Sequence, residues 1–246
     1  MKQKLAALIL AAFALAACSG QGPSTQIGLG GGGGAGKPHY GGSLKVGAQQ
    51  SGDTVLPIFA HTEGSVNEVS FLYDALVNVD PDFNVVPWLA ERWEISKDGK
   101  TYTFHLRHNA KWSDGQPITS ADQKFEYDLT KNPATGAPYR ADYDIVDSVT
   151  TPDRWTVVYK LKEPNAPFLT SVAASGAHAP LPAHVYAAIA PSQLQHMDFS
   201  KHLVTSSGYT LKEWKHDDHM LLASNPHWWH GRPYIDNVYI REYQSS

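Results

Sequence analysis

Residues 72–122 read LYDALVNVDPDFNVVPWLAERWEISKDGKTYTFHLRHNAKWSDGQPITSAD, and this stretch decides the kind of fold the chain adopts. It opens in a helical pattern, passes through two turns and ends on a helix cap. Asp98-Gly99 separates two alternating runs, Trp93-Glu94-Ile95 and residues 101–107, the pattern of a short β-hairpin. In the second run Tyr102, Phe104 and Leu106 share one face while Thr103, His105 and Arg107 share the other. Asp114-Gly115 marks a further turn, and residues 118–122 hand the chain to a helix. The stretch carries no positioned nucleophile, base or metal cage. It is a β-rich scaffold.

Around it, 246 residues with 42% apolar and 18% charged side chains describe a globular chain long enough for a substantial core. The formal charge is −4, and residues 1–17 carry Lys2 and Lys4 but no acid, which leaves −6 beyond them. A mildly acidic chain without a basic stripe excludes nucleic acid as the partner.

The N-terminus reads as an address. Lys2 and Lys4 precede a small apolar run over residues 5–17, too short for a membrane-spanning helix of about 20 residues. Leu15-Ala16-Ala17-Cys18 has the form of a bacterial lipobox, with the chain's one cysteine at the position of cleavage and acylation. Residues 1–18 are therefore expected to be a lipoprotein signal peptide, and Cys18 a lipid attachment site holding the chain on the bacterial membrane outside the cytoplasm. Each buried CH₂ of an acyl chain contributes about 0.8 kcal/mol to that anchoring. With no second cysteine, the folded part relies on its core rather than on disulfides.

Residues 19–42 read as a Gly-rich tether with nothing apolar to bury, spanning roughly 25–30 Å as a flexible chain. Within it, residues 31–37 imitate a phosphate-binding loop. Pro38 stands where a Ser or Thr would hold Mg²⁺ and no strand precedes the segment, so the resemblance is rejected.

From residue 43 onward the pattern predicts a strand over residues 43–47 and a helix over 66–77, entered through the capping-box sequence Ser65-Val66-Asn67-Glu68. A second helix is expected over 121–130, capped by Thr119 or Ser120, with Phe125 and Leu129 inward. A strand follows over 155–161, a helix over 182–190, a hairpin over 209–224 and a last strand over 235–243. Strands outnumber helices without a regular βαβ rhythm, which gives a mixed, strand-rich α/β class. His216 with His219 and His227 with His230 invite a metal reading; the flanking Asp217 and Asp218 favour a turn instead, and no HExxH motif occurs. No GxSxG elbow surrounds Ser65, Ser206 or Ser207. Trp228-Trp229 reads as core packing in preference to a stacking platform. No metal, cofactor or enzymatic activity is expected.

A family resemblance rests on a series of segments in order. These are Leu72-Tyr73-Asp74-Ala75-Leu76, residues 87–93 (PWLAERW), 102–107 (YTFHLR), 110–115 (AKWSDG) and 117–122 (PITSAD). Leu181-Pro182-Ala183-His184, residues 209–214 (YTLKEW) and Asn225-Pro226-His227-Trp228-Trp229 continue the series. Together they resemble the extracellular solute-binding proteins of family 5, the receptors of oligopeptide, dipeptide and nickel ABC importers. The resemblance implies a periplasmic-binding-protein-like first lobe of a two-lobed, cluster C receptor. Its partners would be a peptide or small-solute ligand and a membrane permease. Within 43–246 it implies subdomain a over about 43–65 and 170–246 and subdomain b over about 66–169, with the second lobe absent. Two ligand contacts carry over: Glu63-Gly64-Ser65, which matches a cleft-lining segment, and Tyr139, which matches a tyrosine reaching the ligand. Ser65 also reads as a helix cap and Tyr139 as a turn residue. Gln123 departs from the family's usual apolar residue, and Ser207 stands where a glycine normally relaxes the backbone. The alternative is a surface adaptor or sensor module that retains the first lobe alone.

Overall fold

The computed structural model describes residues 38–48, 52–199 and 203–243. Cys18, the lipobox, the rejected phosphate-loop imitation and most of the tether lie outside the described residues. In chain order the elements are β1 (Ser43–Ala48), α1 (Glu63–Leu72), β2 (Val77–Val79), β3 (Val85–Pro87), β4 (Ala90–Ile95) and β5 (Thr101–Leu106). They continue with α2 (Ser120–Lys131), β6 (Val146–Asp153), β7 (Thr156–Leu161), α3 (Ala183–Tyr186), β8 (Tyr209–Lys215), β9 (His219–Ser224) and β10 (Asn237–Glu242).

The hairpin of the deciding stretch folds as its pattern requires. β4 and β5 pair antiparallel across a turn in which Gly99 takes φ 68° and the Asp98 carboxylate accepts from the Lys100 N–H at 3.1 Å. That positive φ is the reason for glycine there. Tyr102, Phe104 and Leu106 are buried on the inner face. β5 then pairs with β7 and β7 with β6, giving an antiparallel sheet in the order β4-β5-β7-β6. Its core holds Phe104, Tyr143, Val157, Tyr159, Leu161 and Phe168.

A second four-stranded sheet, β1-β10-β9-β8, joins the first described strand to the last, parallel, with Ser43 opposite Asn237 and Ala48 opposite Glu242. The rest of this sheet is antiparallel. Leu56, Ile58, Leu72, Trp112, Met220 and Leu222 lie in the core beside it. Through Val69 and Leu72, α1 belongs to this core rather than to that of the other sheet. β2 and β3 form a separate two-stranded ribbon.

Three helix boundaries differ from the sequence expectation. α1 starts earlier, at Glu63, because Thr62 is its cap: the Thr62 hydroxyl accepts from the Ser65 N–H at 3.2 Å. Ser65 is thus inside the first turn and is not the cap. α1 also stops at Leu72, short of residue 77. The Leu72 carbonyl accepts from the backbone N–H groups of Ser206 and Ser207, at 3.0 and 3.1 Å, and the Ser206 hydroxyl takes the Asp74 N–H at 2.8 Å. Tertiary partners satisfy the groups that a longer helix would have used. α2 matches, with Thr119 as cap. Asp122 closes a capping box by accepting from the Thr119 N–H at 2.7 Å. The expected helix over 182–190 is one turn, since Ala190 precedes Pro191 and is extended at φ −61°, ψ 134°. Ser207 has no positive φ. The close approach belongs to Gly208, where a Cβ would lie 3.0 Å from Pro233 and 3.1 Å from Trp228.

Candidate ligand-binding face

The head of α1 is built from loop to helix. The Ser65 hydroxyl lies 2.9 Å from the Thr62 hydroxyl, bonds to the Asp53 carboxylate and accepts from the Asp53 N–H at 3.0 Å. It is fully buried and engaged, so this side chain braces the helix start. Glu63 is exposed beside it, and Glu63 and Gly64 line a hollow of about 540 Å³ whose other walls include Val46 and Gly47 of β1, Phe71 and Ile240. The first-turn N–H groups of a helix lack partners within the helix. With the acidic side chains of Glu63 and Glu68 on the same hollow, they suit the polar main chain of an extended ligand lying over an apolar floor.

Tyr139 stands after Gly136 (φ 70°) and Pro138, immediately before a 3-10 turn over Arg140–Ile145. Its half-buried ring meets His178 edge-on at 6.2 Å between centroids. Gly136 and Pro138 line a second hollow of about 300 Å³ with Asp53, His61 and Trp214. The loop between Asp53 and Glu63 therefore contributes to both hollows: Asp53 lines the second, and Glu63 the first. Sequence reasoning missed Asp53, His61 and Trp214, because a lone Asp, His and Trp carry no motif and become neighbours only through the fold.

Behind Tyr139 lies a polar network that the helical pattern concealed. α2 buries Gln123, Glu126 and Thr130, with Leu129 buried and Phe125 partly so. Fully buried Glu126 accepts from the Tyr143 hydroxyl at 2.6 Å, Gln123 Nε2 at 3.0 Å and the Thr130 hydroxyl at 2.8 Å. His178 Nδ1 is 3.4 Å from it. Burial, then the Glu126 charge, pushes the Tyr143 hydroxyl pKa well above the ordinary tyrosine value. Gln123, which departs from an apolar expectation, serves this carboxylate and also donates to the His178 carbonyl at 3.0 Å.

Trp228 and Trp229 pack, as their place before a strand implied, and do more. Both indole N–H groups donate to the same oxygen of Asp74, at 2.8 and 2.9 Å, while Trp88 packs against both rings at centroid distances of 6.0 and 5.3 Å. Burial raises the Asp74 pKa, and the hydrogen bonds from Trp228, Trp88, Trp229 and Ser207 oppose that rise. Arg107 covers the Trp229 ring at 4.6 Å. His216 and His219 pair with carboxylates of their own hairpin, the former with Asp217 at 2.9 Å and the latter with Asp218 at 3.3 Å. Among the described residues no group of three or more His, Cys, Asp and Glu side chains is arranged to hold a metal ion.

The profile of bacterial extracellular solute-binding proteins, family 5 (middle region), matches residues 84–246, well over half of the chain. The chain belongs to this family. Three relatives frame its place within family 5. A Brucella ovis protein, named provisionally as an ABC transporter peptide-binding protein, is 37% identical over 183 residues, covering 74% of this chain and 34% of that relative. The oligopeptide-binding protein AppA of Bacillus subtilis is 28% identical over 235 residues, covering 95% of this chain and 42% of AppA. The solved structure of AppA with a nonapeptide superposes with a TM-score of 0.79 at 26% identity, over 84% of this chain and 41% of that one. The OppA of Haemophilus influenzae, solved with the peptide RPPGFSPFR, gives a TM-score of 0.74 at 25% identity over 81% and 42%. The strand-rich α/β architecture is thus that of the periplasmic binding proteins, and the chain spans well under half the length of these relatives.

Proposed function

We propose that this chain is the first lobe of a substrate-binding lipoprotein that captures peptides, or a related small solute, outside the cytoplasm and delivers them to the permease of an ABC importer. The observation that carries the reading is the likeness to AppA, solved with a nonapeptide, over most of the described residues. Binding alone is assigned to the chain, with no chemistry performed on the ligand. Cys18 carries the lipid, residues 19–42 form the tether, the β1-β10-β9-β8 sheet belongs to subdomain a and the β4-β5-β7-β6 sheet to subdomain b.

An extended ligand would run past the head of α1, its main chain on Glu63 and Gly64, with Ser65 acting through its brace on Asp53 and Tyr139 meeting the ligand from the side. Main-chain pairing supplies affinity without reading sequence, and side-chain hollows then need only tolerate variety. A hybrid that joins residues 43–243 to the second-lobe region of AppA tests this. After dialysis against a mixed peptide pool, mass spectrometry should find bound peptides, and Tyr139→Ala should weaken them by about 1–3 kcal/mol, roughly 5- to 150-fold. A hybrid that melts cooperatively yet retains no peptide overturns the proposal. The 246 residues alone are expected to hold the same peptides about 4 kcal/mol more weakly, because a ligand bound on one side stays half hydrated.

A further inference from the structure

His178 has 1% of its side chain exposed, and each ring nitrogen faces a carboxylate. Nδ1 is 3.4 Å from Oε1 of Glu126 and Nε2 is 3.1 Å from Oδ2 of Asp142. A neutral imidazole carries one N–H and donates to one acceptor, whereas the protonated ring donates to both. Glu126 has three other donors, in Tyr143, Gln123 and Thr130. Asp142, by contrast, is 43% exposed and belongs to the 3-10 turn that starts directly after Tyr139. Buried Tyr143 anchors the later part of that turn through Glu126. The earlier part, beside Tyr139, meets the lobe through the Asp142–His178 pair and through Arg140, whose Nε donates to the Lys131 carbonyl of α2.

We infer that His178 is a positioning residue for Tyr139. With its ring protonated it bridges Glu126 and Asp142 and clasps the Tyr139 end of the turn; with its ring neutral it donates to only one of the two carboxylates, and the bridge between α2 and the turn is broken. The groups facing it are Glu126 from α2, Asp142 and Tyr143 from the turn, and Tyr139. Tyr159 of β7 stacks behind Tyr143, and Arg140 spends its Nε on the Lys131 carbonyl at 3.2 Å. Burial disfavours the charged ring, but the hydrogen bonds and charges of Glu126 and then Asp142 outweigh it, so the His178 pKa lies above the ordinary imidazole value. The clasp is therefore complete below about pH 6.5 and is lost as pH rises through the raised pKa. Its weight for function rests on the proposed role of Tyr139 at the ligand, in which case capture is tighter on the acidic side.

Hydrogen exchange read by mass spectrometry tests the clasp without any ligand. Protection of the amides of residues 140–145, corrected for intrinsic exchange, should fall about tenfold between about pH 5.5 and about pH 8.5. The fall should vanish in His178→Gln and in Asp142→Asn, the latter at a partly exposed position where folding is retained. It should persist in His184→Gln, whose ring pairs with Asp114 elsewhere. Flat protection in the wild type, or a fall that survives Asp142→Asn, overturns the inference. A tenfold fall with pH-independent peptide capture by the hybrid would leave the clasp standing and remove the ligand role of Tyr139.

Discussion

Replacing Tyr143 by Phe removes one oxygen and leaves a ring that is fully buried between Tyr127, Tyr159 and His178. The volume change is small, so the effect reports the bond from the hydroxyl to Glu126 at 2.6 Å together with the hydroxyl's hydrogen bond with Tyr159, and the coupling to Glu126 separates the two. Hydrogen bonds to a charged group contribute about 1.5–3 kcal/mol, about twice a neutral bond, and a buried carboxylate that loses a donor keeps its desolvation penalty. In a folded unit of this size each kcal/mol moves the midpoint by about 2–4 °C, which places the Tyr143→Phe Tm about 3–12 °C below wild type. Tyr102→Phe is the internal standard, because its hydroxyl donates at 3.0 Å to the neutral Asn165 carbonyl and should be worth about 0.5–1.5 kcal/mol. Urea unfolding of both variants, with Glu126→Gln alone and combined with Tyr143→Phe, yields the pairwise coupling. If Tyr143→Phe proves no more destabilising than Tyr102→Phe, or the coupling is zero, the view of Glu126 as the hydrogen-bonding hub of this network is wrong.

Three further outcomes are expected. Because burial raises the Asp74 pKa, its contribution is complete below the ordinary carboxylate value of 3.8 and declines as pH rises through the raised one; the stability difference between wild type and Asp74→Asn should follow that sign in urea titrations at successive pH values. Gly208→Ala sets a Cβ against Pro233 and Trp228 and should destabilise by about 1–3 kcal/mol, read as a lower urea midpoint with unchanged slope. Metabolic labelling with a fatty-acid analogue should mark the wild-type chain and not Cys18→Ser, and equal labelling of both would refute the lipid anchor.

The candidate site was legible in part. Glu63, Gly64 and Ser65 came from resemblance, and the structure gathers them at one helix start, with Ser65 turned inward as a brace. Tyr139 was named without its support, since His178 and Asp142 sit in separate loops that no periodicity links to it. Asp74 and the Trp228-Trp229 pair are 154 residues apart in the chain, and nothing local announces that two indoles converge on one carboxylate.

By itself the sequence determined what local physics controls. The hairpin at Asp98-Gly99 follows from a turn needing positive φ and from alternation that buries every second side chain of β5, and α2 starts where a threonine can cap it. Only the tertiary structure decided where α1 stops, which polar side chains α2 buries, and that β1 lies parallel to β10 from the far end of the described chain. Those outcomes depend on groups distant in sequence meeting at hydrogen-bonding distance: the Leu72 carbonyl with the Ser206 and Ser207 N–H groups, Glu126 with Tyr143 and His178. A backbone carbonyl or a carboxylate in the interior must find a donor, and which donor reaches it is a property of the packed fold.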